Sequence, residues 1–163
     1  MTDRDQQFMR EALRQAIMAR EDDEVPVGAV IVRGDQVIAR AHNQVERLSD
    51  PTAHAEMIAL TQASAAVQGK WLLDCVIYVT LEPCSMCAGA LVLARIGRIC
   101  FGARDPKSGA CGSVLNIADH PALNHRIPVT GGVLEPECAG LLSGFFVEKR
   151  RKDCEAGGRQ SCH

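Results

Sequence analysis

The chain has 163 residues, 47% of them apolar and 23% charged, with a formal net charge of -2. That suits one soluble, globular domain with a real core, and it excludes a globally basic nucleic-acid binder. No apolar run approaches the ~18 residues that a membrane-spanning helix needs.

Met1 to Gln7 is polar, with both charge signs and no apolar signal core, so a cytoplasmic address is expected. Phe8, Met9, Ala12, Leu13, Ala16 and Ile17 repeat at helical spacing and predict an amphipathic helix from Asp3 to Arg20. The acidic run Glu21 to Glu24 follows and reads as a solvated helix end. Val25 to Val32 reads as a strand, turning at Gly34-Asp35 into a second strand from Gln36 to Ala41. Asp50-Pro51-Thr52 opens the next helix, with Thr52 or Asp50 as N-cap, and the helix runs to Val67 before Gly69 stops it.

Val76 to Thr80 is a third strand, apolar enough to be buried on both faces. Pro83 stands just before or at the first position of a helix that continues through Leu93. Arg98 to Gly102 predicts a fourth strand, Ala103 to Ser113 a polar glycine-rich segment, and Ile127 to Thr130 a weaker fifth strand. A last helix spans Glu135 to Lys152, with Leu141, Leu142, Phe145 and Phe146 on its apolar side. Adjacent Phe145 and Phe146 cannot both face the core squarely, so one is core and the other a stacking or interface residue. The order predicts an α/β layout in three layers, with about five strands in a central sheet and helices on both faces. Residues 153–163 are polar, carry paired glycines and are expected to be a disordered tail.

Eight cysteines are many for this length, but the aliphatic content does not suit a disulfide scaffold. Cys75 and Cys100 sit inside apolar runs and read as buried thiols. Only Cys84 and Cys87 have metal-type spacing. Three apart at a helix start, they share one face, and the positive end of the helix dipole favours their thiolates. His54 supplies a neutral third ligand. Two sulfurs and one imidazole suit zinc, and the lack of a fourth protein ligand leaves room for water, as in a catalytic site. Glu56, two residues after His54, does not point at the metal with it but leans over the open position, where it can take a proton from water and pass it on. Alone, His-x-Glu is weak, and Cys-x-x-Cys could be a redox pair or half of a zinc knuckle. Together, each at a helix start after extended chain, they match the signature of the zinc deaminases.

Longer runs carry a closer resemblance. Val25 to Val30, Asp50 to Met57, Tyr78 to Ala90, Phe101 to Ala110 and Asn124-His125-Arg126 are similar to the bacterial tRNA-specific adenosine deaminases of the cytidine-deaminase-like superfamily. The first and third runs recur across that superfamily, whereas Phe101 to Gly112 and the Asn-His-Arg triplet are more particular to the tRNA enzymes. The resemblance spans the first helix to Arg150 and implies a deaminase domain over residues 1–152 with a cytidine-deaminase-like fold and a mixed sheet. It implies one Zn2+ per subunit of a homodimer that converts adenosine to inosine at the wobble position of a tRNA anticodon stem-loop. Asn43 then hydrogen-bonds the flipped base, Val27 lines the pocket, and the backbone N–H groups of Ala55 and Cys84 face the reacting oxygen. Arg104, Lys107, His125 and Arg126 are expected near RNA, as are Phe145, Phe146 and the basic run from Lys149 through Arg150 to Lys152; without the resemblance that run reads as a solvated helix end. Pro106 and Asp119-His120 depart from the family pattern and bear on RNA contact, not on the chemistry. Two other readings stay open: a deaminase of free guanine, cytosine or a nucleoside on the same fold, and a zinc-stabilised RNA-binding module without turnover.

Overall fold

The computed structural model describes residues 1–157. A five-stranded mixed sheet has the order β2-β1-β3-β4-β5, with β1 at Gly28–Arg33, β2 at Gln36–His42, β3 at Cys75–Leu81, β4 at Arg98–Ala103 and β5 at Val129–Thr130. β1 runs antiparallel to both β2 and β3, whereas β3, β4 and β5 are mutually parallel. β2 and β3 therefore point the same way with β1 between them.

Alternate residues of the central strands feed two cores, as a side-chain period of two requires. Ala29, Ile31, Ile77, Val79, Ile99 and Phe101 face one side, packed with residues of α3 (Ala55–Val67) and α4 (Ser85–Leu93). Val30, Val32, Tyr78 and Cys100 face the other, against α1 (Asp3–Glu21) and Cys138 of α5 (Glu135–Gly157). This is the expected three-layer arrangement. Phe8, Met9, Ala12 and Ala16 are the buried stripe of α1, while Ile17 is turned to solvent. At Gly28 a Cβ would collide with the backbone of Ala12 and Ala16, so only glycine lets α1 cross β1 this closely.

Several boundaries differ from those expected. β1 begins at Gly28 because Pro26 offers no N–H and the Val27 N–H turns back to Val25 O at 2.8 Å. Thr52 is not an N-cap: Asp50 Oδ1 accepts from its N–H at 2.8 Å and its hydroxyl at 2.7 Å, closing a turn over Pro51, and α3 starts only at Ala55. Its C-cap is Gln68 in the left-handed region, one residue before Gly69. A short helix α2, Val45–Leu48, was not foreseen. α5 continues past Lys152 through Asp153 to Gly157, since nothing in that stretch breaks a helix. The rest of the expected tail, residues 158–163, lies outside the described residues. Among the described residues, no helix is long and apolar enough to cross a membrane.

One buried acid ties α1 to the sheet. Asp5 completes a capping box with Thr2, accepts the Tyr78 hydroxyl at 3.0 Å, and takes both guanidinium arms of Arg98 at 3.0 and 3.2 Å. Burial would raise its carboxyl, but these bonds, Arg98 foremost, outweigh burial and hold it at about 2. That value lies below the unfolded ~3.9, so the stabilisation is whole above pH ~4 and disappears as pH falls toward ~2. Asp5→Asn is expected to lower the unfolding free energy near neutral pH by roughly 2 kcal/mol. In urea denaturation, the gap to the parent protein should close on acidification through that window.

Candidate active site

Two helices begin side by side at one edge of the sheet. α3 follows β2 and α4 follows β3, so both N-termini stand beyond the carboxyl ends of strands that point the same way. His54 is the N-cap of α3 and Cys84 the N-cap of α4, both in extended backbone, while Cys87 lies in the first turn of α4. His54 Nδ1 is 3.7 Å from Cys84 Sγ and 3.6 Å from Cys87 Sγ, and the three ligand atoms lie within 4.8 Å of one another. Tetrahedral zinc, with bonds of about 2.3 Å to sulfur and 2.0 Å to nitrogen, sets N and S about 3.6 Å apart. The donor set and its spacing therefore fit the ion.

Hydrogen bonds from Cys87 and His54 pull the Cys84 thiol down to about 4. The bond to Cys84 raises His54. Cys87 is pushed up because it gives its proton to that bond and because it is buried. The trio thus shares protons that a bound cation replaces. Glu56, in the first turn of α3, is buried against the same group, and burial pushes its carboxyl up to about 7.

These side chains open on a cleft of about 330 Å³, whose walls include Val27, Asn43, His54, Glu56, Cys84 and Phe145. Asn43 Oδ1 accepts the Ala55 N–H at 2.8 Å, within the buried interior. The Ala55 amide, expected to face the reacting oxygen, has a partner within the chain in Asn43. The bond fixes the Asn43 side chain and leaves its N–H donors for a ligand.

Two further acids shape the rim, and neither stood out in the sequence. Glu24 is only 1% exposed, although the acidic run containing it reads as a solvated face. Its carboxylate accepts the N–H groups of Glu46 at 3.2 Å and Arg47 at 2.8 Å, at the start of α2. Glu82, equally enclosed at 2% exposure, accepts from the N–H groups of Asp105, Cys111 and Ser113 and from the Ser113 hydroxyl. Both bind backbone that is far away in the chain, so no local spacing could have marked them.

The remaining predicted contacts divide. Phe145 is buried at the cleft and Phe146 is 41% exposed, which settles which of the pair turns inward. Lys149 also lines the cleft, whereas Arg150 is exposed outside its walls. Arg104 lies over the Phe101 ring, 5.8 Å from its centre, and Lys107 is on the exposed turn after Asp105; neither lines the cleft. The structure does not bring His125 and Arg126 to it either. His125 Nε2 is 2.9 Å from Ile96 O, and Arg126 pairs with Asp119 at 2.6 Å beside a separate depression. Asp119, one of the departures from the family pattern, thus has a partner within the chain.

Comparison with known proteins agrees with this geometry. Residues 2–103 match the family model for the cytidine and deoxycytidylate deaminase zinc-binding region. The chain is 48% identical over 149 residues to a tRNA-specific adenosine deaminase of Bacillus subtilis, covering 91% of this chain and 92% of that protein. It is 52% identical over 143 residues to one of Aquifex aeolicus, covering 88% and 94%. A solved structure from a study of A-to-I editing by tRNA:A34 deaminases at the wobble position of transfer RNA superposes with a TM-score of 0.80 at 45% identity, over 83% of this chain and 99% of that one. The guanine deaminase of Bacillus subtilis shares the fold at a TM-score of 0.60 and 32% identity, over 78% and 83%.

The ligand geometry makes one prediction. His54→Ala and Cys87→Ala should each reduce zinc, measured by metal analysis after dialysis, from about one ion per chain to well below that, because two ligands hold the ion far less tightly than three. Full zinc retention in both variants would reject this ligand set.

Proposed function

This chain belongs to the zinc-binding cytidine and deoxycytidylate deaminase family and, within it, to the tRNA-specific adenosine deaminases; on that premise we propose that it hydrolyses adenosine to inosine at the wobble position of a tRNA anticodon and releases ammonia. The observation that carries this reading is the convergence of His54, Cys84, buried Glu56 and Asn43 in one cleft, with buried Cys87 completing the metal group. His54, Cys84 and Cys87 hold the zinc, one ion per chain. When bound, the ion supplies a Lewis acid that makes water nucleophilic at neutral pH.

The rest of the chemistry falls to the chain's own groups. Glu56 takes a proton from the attacking water and delivers it to a ring nitrogen, then takes the remaining proton from the added hydroxyl and passes it to the amine, which leaves as ammonia as the carbonyl of inosine forms. Its burial keeps bulk water from competing for that proton. Asn43, fixed by Ala55, offers its N–H donors to an acceptor on the base, and Val27 packs against the ring. A base must leave its stack to enter a cleft this narrow, and an anticodon loop presents unstacked bases.

Phosphates beside the mouth fall to Lys149 and Arg150 on α5 and to Arg104 and Lys107 on the segment after β4. His125 and Arg126 are engaged within the chain and receive no part in holding the base. A cytoplasmic site of action accords with this substrate.

The same reading includes a homodimer. Met86, Leu93, Ile117 and Leu123 line an apolar groove of about 770 Å³ along α4, and Leu93 is 81% exposed. A second copy covering that face explains an apolar groove that a monomer would leave to water. Leu93→Glu is expected to shift the protein from dimer to monomer in sedimentation equilibrium. An unchanged mass would place any dimer contact elsewhere.

The activity is tested with an anticodon stem-loop bearing adenosine at the wobble position, against free adenosine, cytosine and guanine. Inosine should form in the stem-loop, whereas ammonia from a free base with an inert stem-loop would favour the guanine-deaminase type of reaction. Glu56→Ala should keep about one zinc per chain and lose stem-loop turnover by several powers of ten, the combined loss of proton transfer and water positioning. Undiminished turnover in that variant would reject the mechanism.

A further inference from the structure

The segment from Arg104 to Ser113 contributes Asp105 and Ser108 to the cleft wall and carries Arg104 and Lys107 at its outer side. It has no helix and no ladder of its own, and it contains Pro106, Gly109 and Gly112. Asp105 closes a local turn by accepting the N–H groups of Lys107 and Ser108 and the Ser108 hydroxyl, but those bonds do not fix how the segment sits against the rest of the chain. The carboxylate of Glu82 does so. Its Oε2 accepts the Asp105 N–H at 3.0 Å and the Ser113 hydroxyl, and its Oε1 accepts the N–H groups of Cys111 at 3.1 Å and Ser113 at 3.0 Å. Both ends of the segment converge on one buried side chain.

The same turn of chain leads to a metal ligand. The Ala110 N–H donates to Pro83 O at 2.8 Å, and Gly109 pairs with Cys84 as an isolated bridge. A Cβ at Gly109 would strike the Glu82 carboxylate, so the segment lies directly on the acid. A carboxylate is the group suited to this place. It has acceptor positions for four donors and no proton of its own to misplace among them. An amide could satisfy only part of the set and would set an NH2 against a donor.

We infer that Glu82 is a positioning residue for the polynucleotide substrate: it orders the Arg104–Ser113 wall against the metal-ligand turn, so that the cleft meets the RNA in one preformed shape. Glu82 borders the cleft, but both of its carboxylate oxygens are taken up by donors of the segment, and it is not one of the three metal-ligand side chains. Its contribution therefore falls on substrate capture, because a wall that must be ordered on binding draws that cost from affinity. This inference rests on the RNA substrate proposed above.

The test is Glu82→Gln, which keeps the shape and removes the charge and half of the acceptor capacity. Zinc should stay near one per chain, KM for the anticodon stem-loop should rise about ten-fold or more, and kcat should change less than about three-fold. Hydrogen exchange at the amides of Asp105, Cys111 and Ser113 should accelerate, while that of the β3 amides does not. A fall in kcat at constant KM, loss of zinc, or unchanged exchange in the segment would overturn the inference. Ser113→Ala removes only the hydroxyl bond, serves if Glu82→Gln does not fold, and should move KM and exchange in the same direction by a smaller factor. A parent protein that leaves the stem-loop untouched would reject the proposed substrate instead, and the exchange measurement would then still decide whether Glu82 orders the segment.

Discussion

The site depends on two helices starting at the same place. Because β1 is antiparallel to both β2 and β3, the two outer strands of that trio run parallel and deliver their helices to one edge. The N-cap positions of α3 and α4 then lie next to each other, and the sequence puts His54 at one and Cys84 at the other. An N-cap residue is extended, so its side chain projects away from the helix barrel. The N-termini also present positive dipole ends, which favour a thiolate. Rotate either helix by one residue and the 3.6 Å spacing of His54 and Cys87 is lost.

Four buried acids do three different jobs in this small chain. Asp5 locks α1 to β3 and β4 through Tyr78 and Arg98. Glu24 and Glu82 organise irregular backbone on the rim of the cleft by accepting N–H groups. Glu56 is pushed up by its burial, and it is the one proposed to move protons. The difference is in donors: at Asp5 and Glu82 the hydrogen bonds outweigh burial and lower the carboxyl, whereas at Glu56 burial wins. This also bears on how a chain with net charge -2 can take an RNA. Glu24 and Glu82 meet donors that offset their charge, while Lys149, Arg150 and Arg104 stay at the surface.

The interior of α5 shows how a local pattern can be right and still incomplete. Helical periodicity marks Phe145 and Phe146 as a pair of which one turns inward, but not which one. Packing decides for Phe145, with Phe146 set edge-on to it at 5.4 Å between centres. The basic run that follows is partly spoken for, since Lys152 pairs with Asp23 at 3.7 Å and neighbouring Glu148 with Arg20 at 2.7 Å. α5 is thereby held against the end of α1, and its cationic side is shared between the fold and the solvent.

Much was legible from residue order alone, because periodicity, turn residues and ligand spacing are local quantities. The strands, the amphipathic first helix, the hairpin at Gly34 and the Cys84–Cys87 pair follow from neighbours within a few residues, whereas joining His54 to that pair took two motifs read together across 30 residues. Only the tertiary structure decided the rest. It moved the start of α3 from Thr52 to Ala55, since the Asp50 side chain claims Thr52, and so made His54 the cap. It gave the Ala55 amide to Asn43, took His125 and Arg126 away from the cleft, and buried Glu24 and Glu82 under backbone that lies about 20 to 30 residues further on. Those outcomes turn on which unpaired N–H groups arrive beside which carboxylate or carbonyl once the chain has closed on itself. That is a property of the closed chain in space, and no window of sequence contains it.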